Sequence, residues 1–210
     1  MNVRDLGLDG VKEIVPARYG DARGYFSETY NHKRFVDAGI ELDWIQDNHS
    51  FSAEKHVLRG LHFQTPPFAQ DKLVRVVTGA VFDVAVDIRK GSPNFGRWTG
   101  VTLTAEAGNQ ILVPKGFAHG FLTLTPDVHV IYKVTAPYAP DNDRSIRYDD
   151  AEIGIEWPLD GAVPQLSQKD EQAGSLQDSD TGFVYQGRSI DTVILPVPRD
   201  KSFDAILDGC

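Results

Sequence analysis

The sequence predicts a mainly β protein, an antiparallel sandwich or barrel with a few short peripheral helices. Three observations predict it: the apolar or alternating runs are short, Gly, Pro, Asn and Asp separate them, and helical periodicity is scarce. At 210 residues, with 41% hydrophobic and 24% charged residues, the chain is expected to form one domain of ordinary size with a sizeable core.

Six runs predict strands, at Leu73 to Val77, Val81 to Ile88, Trp98 to Leu103, Gln110 to Val113, Gly120 to Leu124 and Val128 to Val134. In the second run, Phe82 and Val84 alternate with Asp83, Ala85 and Asp87. Two acids on one face of a central strand need partners or water.

Two short helices are predicted outside the strands. Asn31 caps the first, which runs to Ala38 and ends before a glycine. The second begins near Ser167, where Ser-Gln-Lys-Asp forms a capping box. Residues 1–175 are predicted to be the domain and residues 176–210 a C-terminal extension of unknown role, polar at first and then apolar from Thr192 to Val197.

Composition and charge exclude several classes of protein. A net charge of −9 argues against a general nucleic-acid binder, which needs a broad basic surface. No run approaches the roughly 18 apolar residues of a membrane span, and the N-terminus MNVRDLGLDG lacks the apolar stretch of a secretory signal, so a cytoplasmic location is expected. The single cysteine, Cys210, excludes an internal disulfide and a cysteine-based metal cluster.

The stretch GNQILVPKGFAH carries the clearest motif. It places Gly108, Pro114, Gly116 and His119 at the spacing of the second cupin motif, a hairpin whose turn puts one histidine inside a small jelly-roll barrel. The predicted fold is therefore a cupin-type jelly roll.

The first cupin motif is altered. A metal cupin holds its ion with three histidines and a carboxylate. Here Gln64, two residues after His62, occupies the position of the second histidine, and Lys72 occupies the position of the acid. A protonated lysine cannot ligate a metal, although it can stabilise an oxyanion or enolate. With His62 as a titratable group, the site has the parts to remove a proton next to a carbonyl without a metal.

Seven segments, in the same order, resemble those of the dTDP-4-dehydrorhamnose 3,5-epimerases. They are GDARGYFSETYN, QDNHS, VLRGLHFQ, QDKLVRVVTGAVFDVAVDIRKGSPNFG, VPKGFAHGF, YKVTAPYAPDNDRSIRYDD and LSQKD, and the resemblance runs from about residue 1 to 172. It implies epimerisation at C3 and C5 of dTDP-4-dehydro-6-deoxy-D-glucose, giving dTDP-4-dehydro-L-rhamnose, with no metal or redox cofactor.

The resemblance also implies four catalytic residues. His62 would be the base, Asp170 would orient and polarise it, Tyr132 would donate a proton from the opposite face of the sugar, and Lys72 would stabilise the C4 enolate. Base and acid must lie on opposite faces, because a proton returned from the side it left restores the original centre.

The residues implied to bind the dTDP-sugar are more widely spread, and a homodimer is expected, with Arg23 and Glu28 reaching across it. Tyr138 is a candidate platform for thymine, and Asp83 is a candidate partner of His119. The full set is Arg23, Phe26, Glu28, Gln46, Asn48, Arg59, His119, Tyr138, Asp143 and Lys169.

Several alternatives stay open. The family's relatives include enzymes that invert only C3 or only C5, and a metal-dependent cupin or a non-catalytic sugar-binding cupin would belong to other functional classes. Asp170 could serve only as a helix cap, and Tyr132 could be a buried strand aromatic. The remaining histidines are interpreted as surface or structural residues: His32, His49, His56 and His129.

Overall fold

The computed structural model describes residues 1–187. The strands are β1 (Asn2–Asp5), β2 (Lys12–Val15), β3 (Arg18–Asp21), β4 (Gly24–Ser27), β5 (Gln46–Ser52), β6 (Leu58–Gln64), β7 (Lys72–Thr78), β8 (Ala80–Asp87), β9 (Trp98–Thr104), β10 (Gln110–Val113), β11 (Phe117–Thr123), β12 (Val128–Val134) and β13 (Asp143–Ser145). The helices are α1 (His32–Asp37) and α2 (Gln168–Glu171). The predicted apolar segment from Thr192 to Val197 and Cys210 lie outside the described residues.

Two antiparallel sheets form the barrel. The six-stranded sheet has the order β1-β2-β10-β7-β12-β5, and the five-stranded sheet has the order β13-β6-β11-β8-β9. Most neighbours within a sheet are distant along the chain, which is the arrangement of a jelly roll. β3 and β4 form a separate hairpin. The predicted mainly β jelly-roll fold is confirmed.

Alternation along β8 separates two apolar regions. Val81 and Ala85 pack into an interior core that both sheets share. Val84 and Val86 point the other way, into an outer cluster with partly buried Trp157. The interior of the barrel is therefore the face that carries the odd-numbered residues of β8, including its two acids.

Both acids of β8 are fully buried and both have partners. Asp83 Oδ1 lies 2.9 Å from His119 Nε2, and Asp87 Oδ2 accepts a hydrogen bond of 2.6 Å from the guanidinium of Arg89. Burial of an unpaired carboxylate is costly. The expectation that these acids need partners is confirmed.

The two predicted helices are present and short. At the start of α1, the Asn31 side chain accepts a hydrogen bond from the Arg34 amide. At the end of α1, Gly39 follows the C-cap residue and has a φ of +77°. The hydroxyl of Ser167 accepts the amide of Asp170 at the start of α2. The strand predicted from Gly120 begins earlier, at the start of β11, because its inward histidine interrupts the apolar pattern.

The first residues of the C-terminal extension pack on the barrel. Leu176 is buried. The Lys90 amide donates a hydrogen bond to the Phe183 carbonyl and the Tyr185 amide donates one to the Lys90 carbonyl, each with a length of 2.9 Å. The Tyr185 ring also lies 5.0 Å from the guanidinium carbon of Arg89. The division at residue 175 stays a prediction, although the chain just beyond it contacts the end of β8.

Within residues 1–187, no helix combines the length and the apolar character that crossing a membrane requires.

Candidate active site

The polar side chains of the predicted site lie on the inner faces of both sheets. On β12, Tyr132 shares the inward face with Val130 and packs against the interior core. On β6, His62 alternates with Leu61 and Phe63, which belong to the outer cluster, so the imidazole points inward. The two residues stand on different sheets and face one interior.

His62 forms a dyad with Asp170. The Nε2 atom of the imidazole lies 2.5 Å from Asp170 Oδ1, and the exposed fractions of the two side chains are 31% and 2%. A carboxylate accepts the Nε2 proton, which leaves the lone pair on Nδ1 of a neutral ring. Nδ1 has no hydrogen-bond partner within residues 1–187. The dyad therefore presents a basic nitrogen to the cavity.

The environment of Asp170 keeps its carboxylate charged. Burial alone would raise the pKa of Asp170, but the hydrogen bond and charge of His62, with bonds from Ser167 and the Gly60 amide, hold that pKa below its usual value. Ser167 donates its hydroxyl to Asp170 Oδ2 at 2.9 Å. In a capping box the acid would bond to the Ser167 amide. Here the carboxylate bonds to the imidazole instead.

Lys72 is buried on the inner face of β7. Burial is the largest cause that lowers its pKa to about 8; the carboxylates of Asp143 and Asp83 oppose this change, and the charge of Lys169 adds to it. Its Nζ lies 3.4 Å from the carbonyl oxygen of His62. An ammonium group in such a place can stabilise a negative charge that develops beside His62.

Tyr132 keeps its proton. Burial is the main cause that raises the pKa of its phenol and Asp143 adds to it, while the charge of Arg59 partly opposes both. The phenol is therefore a proton donor at neutral pH.

Gln64 occupies the position where a metal cupin has its second histidine, and its amide is fully used. Its Nε2 donates to the carbonyls of Phe68 and Pro137, at 2.7 and 3.0 Å, and its Oε1 accepts the amide of Ala139 at 2.9 Å. These bonds connect β6 to the loop between β6 and β7 and to the loop after β12 that carries Tyr138. With a lysine at the acid position, the donor set of a metal cupin is absent from the described barrel interior.

His119 and Asp83 form a second imidazole–carboxylate pair in the barrel. His119 lies opposite His62 in the register of β11 and β6. Asp83 Oδ2 is buried and has no hydrogen-bond partner within residues 1–187. A buried carboxylate oxygen without a partner is costly, so the pair can accept a further donor.

Five of the predicted substrate-binding residues lie near one another at the rim. Asp143 accepts hydrogen bonds from Lys169 Nζ at 2.5 Å and from the Tyr138 hydroxyl at 3.4 Å. The rest of the group is connected by hydrogen bonds from Gln46 to Asn48 at 2.7 Å and from the Tyr138 amide to Gln46 at 3.3 Å. A further predicted residue, Arg59, donates to the carbonyl of Phe51 at 2.9 Å, toward the opposite end of β5 from Gln46.

Three predicted binding residues are not brought to this rim by their own chain. Arg23 lies on the turn of the β3–β4 hairpin with its side chain 90% exposed, and within residues 1–187 it is paired with Asp21. Phe26 on the same hairpin is 66% exposed. Glu28 forms an ion pair of 3.0 Å with Arg34. The hairpin thus presents an arginine and aromatic rings to whatever lies outside the chain.

Two inward hydroxyl groups were not foreseen from the sequence. Ser145 lies opposite His62 in the register of β13 and β6, and Ser50 lies on β5. Both hydroxyls are buried without a hydrogen-bond partner in the described part of the chain. Serine is common in loops and strands, so only the alternation from Asp143 to Ser145 could have suggested the first.

Jelly-roll barrels that carry proton-transfer groups in place of metal ligands make up a distinct class, the cupin-type epimerases. A family model for dTDP-4-dehydrorhamnose 3,5-epimerase matches residues 5–178. The enzyme of that name from Sinorhizobium fredii is 48% identical over 185 residues, which cover 88% of this chain and 94% of the relative. The chain belongs to the dTDP-4-dehydrorhamnose 3,5-epimerase family.

Solved structures agree with this assignment. A dTDP-6-deoxy-D-glucose-3,5-epimerase from Legionella pneumophila, in complex with dTDP-4-keto-L-rhamnose, gives a TM-score of 0.84 at 47% identity and covers 88% of this chain and 98% of its own. A 3′-monoepimerase from Streptomyces bikiniensis gives 0.77 at 36% identity, with 82% and 86% covered. The chain is closer to the two-centre enzyme.

Proposed function

We propose that this chain converts dTDP-4-dehydro-6-deoxy-D-glucose to dTDP-4-dehydro-L-rhamnose by epimerisation at C3 and C5. The observation that carries the proposal is the His62–Asp170 dyad, whose histidine lies on one sheet of the barrel and whose acid lies on α2, with Tyr132 and Lys72 on the facing sheet. No metal or redox cofactor is needed for this chemistry. A cytoplasmic location stays a prediction.

The mechanism follows from these groups. His62 Nδ1 takes a proton from the carbon next to the C4 ketone, and Asp170 stabilises the imidazolium that forms. Such a proton lies ~12 or more pK units above histidine, at ~1.4 kcal/mol per unit, so a base alone is insufficient. The ammonium of Lys72 stabilises the enolate oxygen. Tyr132 then delivers a proton from the opposite face, and proton exchange with water restores the neutral imidazole and the phenol before the next transfer. Because C3 and C5 both flank C4, one enolate site serves both carbons.

Deuterium incorporation tests this function. The protein is incubated with dTDP-4-dehydro-6-deoxyglucose in deuterated water, and the product is analysed by NMR. Label at both C3 and C5 supports the proposal. Label at one carbon identifies a mono-epimerase, the second candidate, which the similarity to a 3′-monoepimerase keeps open. Label at neither carbon contradicts the enzyme assignment and favours a sugar-binding cupin.

We further propose that a homodimer completes the nucleotide site, with Arg23, Phe26 and Glu28 supplied by the partner copy. The hairpin that carries Arg23 and Phe26 is exposed, and within residues 1–187 β5 is an edge strand of its sheet. Arginine suits the diphosphate, and Tyr138 at the rim would stack on thymine. The remaining contacts would come from Gln46, Asn48, Arg59, His119, Asp143 and Lys169.

Mixing two inactive variants should restore activity. Arg23→Ala chains keep His62, and His62→Ala chains keep Arg23. If Arg23 acts across the dimer, each mixed dimer contains one complete site and one that lacks both groups. We expect measurable epimerase activity after the two variants are unfolded together and refolded. As the control, each variant is unfolded and refolded alone. If the mixture is no more active than these two controls, Arg23 does not act across the dimer.

Activity should decline on the alkaline side because Lys72 loses its charge. Burial lowers the pKa of Lys72 to about 8, and only the protonated form stabilises the enolate. We therefore expect kcat/KM, which reports groups of the free enzyme, to fall as the pH rises through about 8. Lys72→Arg keeps its positive charge throughout this pH range. The activity that this variant retains should therefore not fall as the pH rises through about 8. A wild-type profile that stays flat to about pH 10 would contradict the role of Lys72.

A further inference from the structure

Two histidines that the barrel interior does not use meet on the outer face of the six-stranded sheet. His49 on β5 and His129 on β12 approach with Nε2 of the first 2.8 Å from Nδ1 of the second. Their ring centroids are 5.1 Å apart, and the Phe51 ring lies 4.8 Å from that of His129. The imidazole pair is thus held against a neighbouring aromatic side chain.

Alternation separates this pair from the catalytic groups. On β12, Val130 points into the interior core, so its neighbour His129 points outward. On β5, Asn48 points inward, so its neighbour His49 points outward. His49 is exposed and His129 is half-buried. A ligand can therefore reach the two rings without entering the barrel.

The nitrogen separation matches a pair of adjacent metal ligands. Imidazole nitrogens bind first-row divalent ions at about 2.0–2.1 Å, which puts two nitrogens about 2.9 Å apart at a right angle and about 3.3 Å apart at a tetrahedral angle. The observed 2.8 Å fits the right angle. Right-angled nitrogen coordination is typical of Cu²⁺ and Ni²⁺.

We propose that His49 and His129 form a surface site for a divalent transition-metal ion of the copper and nickel class. His49 Nε2 and His129 Nδ1 are adjacent ligands in this site, and water fills the other positions. In the apo protein the two nitrogens share a single proton, because one must donate and the other accept. The ion replaces that proton, and each ring turns to aim its lone pair at the ion.

The surroundings set the choice of ion. Arg75 lies on β7 in register with Ile131, and its charge disfavours a cation nearby. A second cation of this face, Lys133, is paired with Asp47 at 2.9 Å. Within residues 1–187 no group of three or more His, Cys, Asp or Glu is placed to hold a metal. A site with only two protein ligands needs a strongly binding ion, which favours Cu²⁺, the strongest binder of the divalent series.

Binding would join two strands of the sheet. β5 is the edge strand, and β12 is its neighbour toward the sheet centre. An ion bound by one side chain from each strand binds the folded state and not the unfolded chain, so it raises the melting temperature.

The test is a titration of the tag-free protein with Cu²⁺, followed by calorimetry and by electron paramagnetic resonance. We expect one ion per chain, a signal with two nitrogen ligands, and a higher melting temperature. His49→Gln and His129→Gln should each weaken binding by at least about 10- to 100-fold, the loss caused even by removing a partner of a metal ligand. His32→Gln, which changes a histidine of α1, is the matched control and should bind as the wild type does.

The outcomes separate cleanly. Loss of binding in both variants with retention in the control supports the site. Absence of saturable binding, or binding that survives both substitutions, overturns it and in the latter case places the ion elsewhere, for example at His62 and His119. Epimerase activity of the same variants is measured independently, so failure of one proposal leaves the other standing.

Discussion

His62→Ala should abolish deuterium exchange into the sugar while the protein stays folded. Removing a general base typically costs about 10²- to 10⁴-fold in rate, and His62 is the imidazole that Asp170 orients. The fold should survive because the His62 side chain is 31% exposed and Asp170 keeps the Ser167 hydroxyl as a partner. Exchange by NMR and the melting temperature are the two measurements.

Two further observations separate a chemical role from a structural one. Free imidazole added to the His62→Ala protein should restore part of the exchange, since the cavity left by the side chain opens to solvent. Asp170→Asn should reduce the rate less than loss of the base itself, because the imidazole remains but is no longer held by a charged partner. Exchange at the wild-type rate in His62→Ala would exclude His62 as the base.

Tyr132→Phe should separate proton removal from inversion. With the phenol gone, His62 can still take a proton and return it to the same face, so the recovered substrate should gain deuterium with its configuration retained. Epimerised product should fall by about 10²- to 10⁴-fold, the usual contribution of a positioned proton donor. Mass spectrometry of recovered substrate and NMR of product measure the two quantities.

The control for Tyr132→Phe is Tyr30→Phe, which removes a phenol oxygen that contacts His32 near α1 rather than the barrel interior. It should leave both exchange and inversion unchanged. Equal loss of exchange and inversion in Tyr132→Phe would assign the phenol to enolate formation. Undiminished inversion would remove Tyr132 from the mechanism.

Strands with apolar or alternating runs could be predicted well from the sequence. β8, β10 and β12 lie where their apolar runs indicated, within a residue at each end. β5 was not predicted, because its inward face holds Gln46, Asn48 and Ser50 for the rim and its outward face is exposed. A strand that lines a polar cavity has no hydrophobic pattern to detect. The early start of β11 was missed for the same reason.

The site shows a similar division. The replacement of metal ligands by Gln64 and Lys72 could be derived from spacing alone, and the four catalytic candidates came from resemblance to the family. The contacts of Gln64 could not be predicted from the sequence. An amide in place of a metal ligand indicates that metal binding has been lost, but it does not indicate which loops the amide bonds to. Pairing of His129 with His49 was likewise invisible, because it depends on strand register rather than on local sequence.

The dyad joins two residues that are 108 positions apart in the chain. During synthesis the strands that build the barrel leave the ribosome first, and α2 follows them. The strands of the barrel are therefore complete before the carboxylate that orients the base has been made. Turnover therefore begins only when nearly the whole family region, residues 5–178, has emerged.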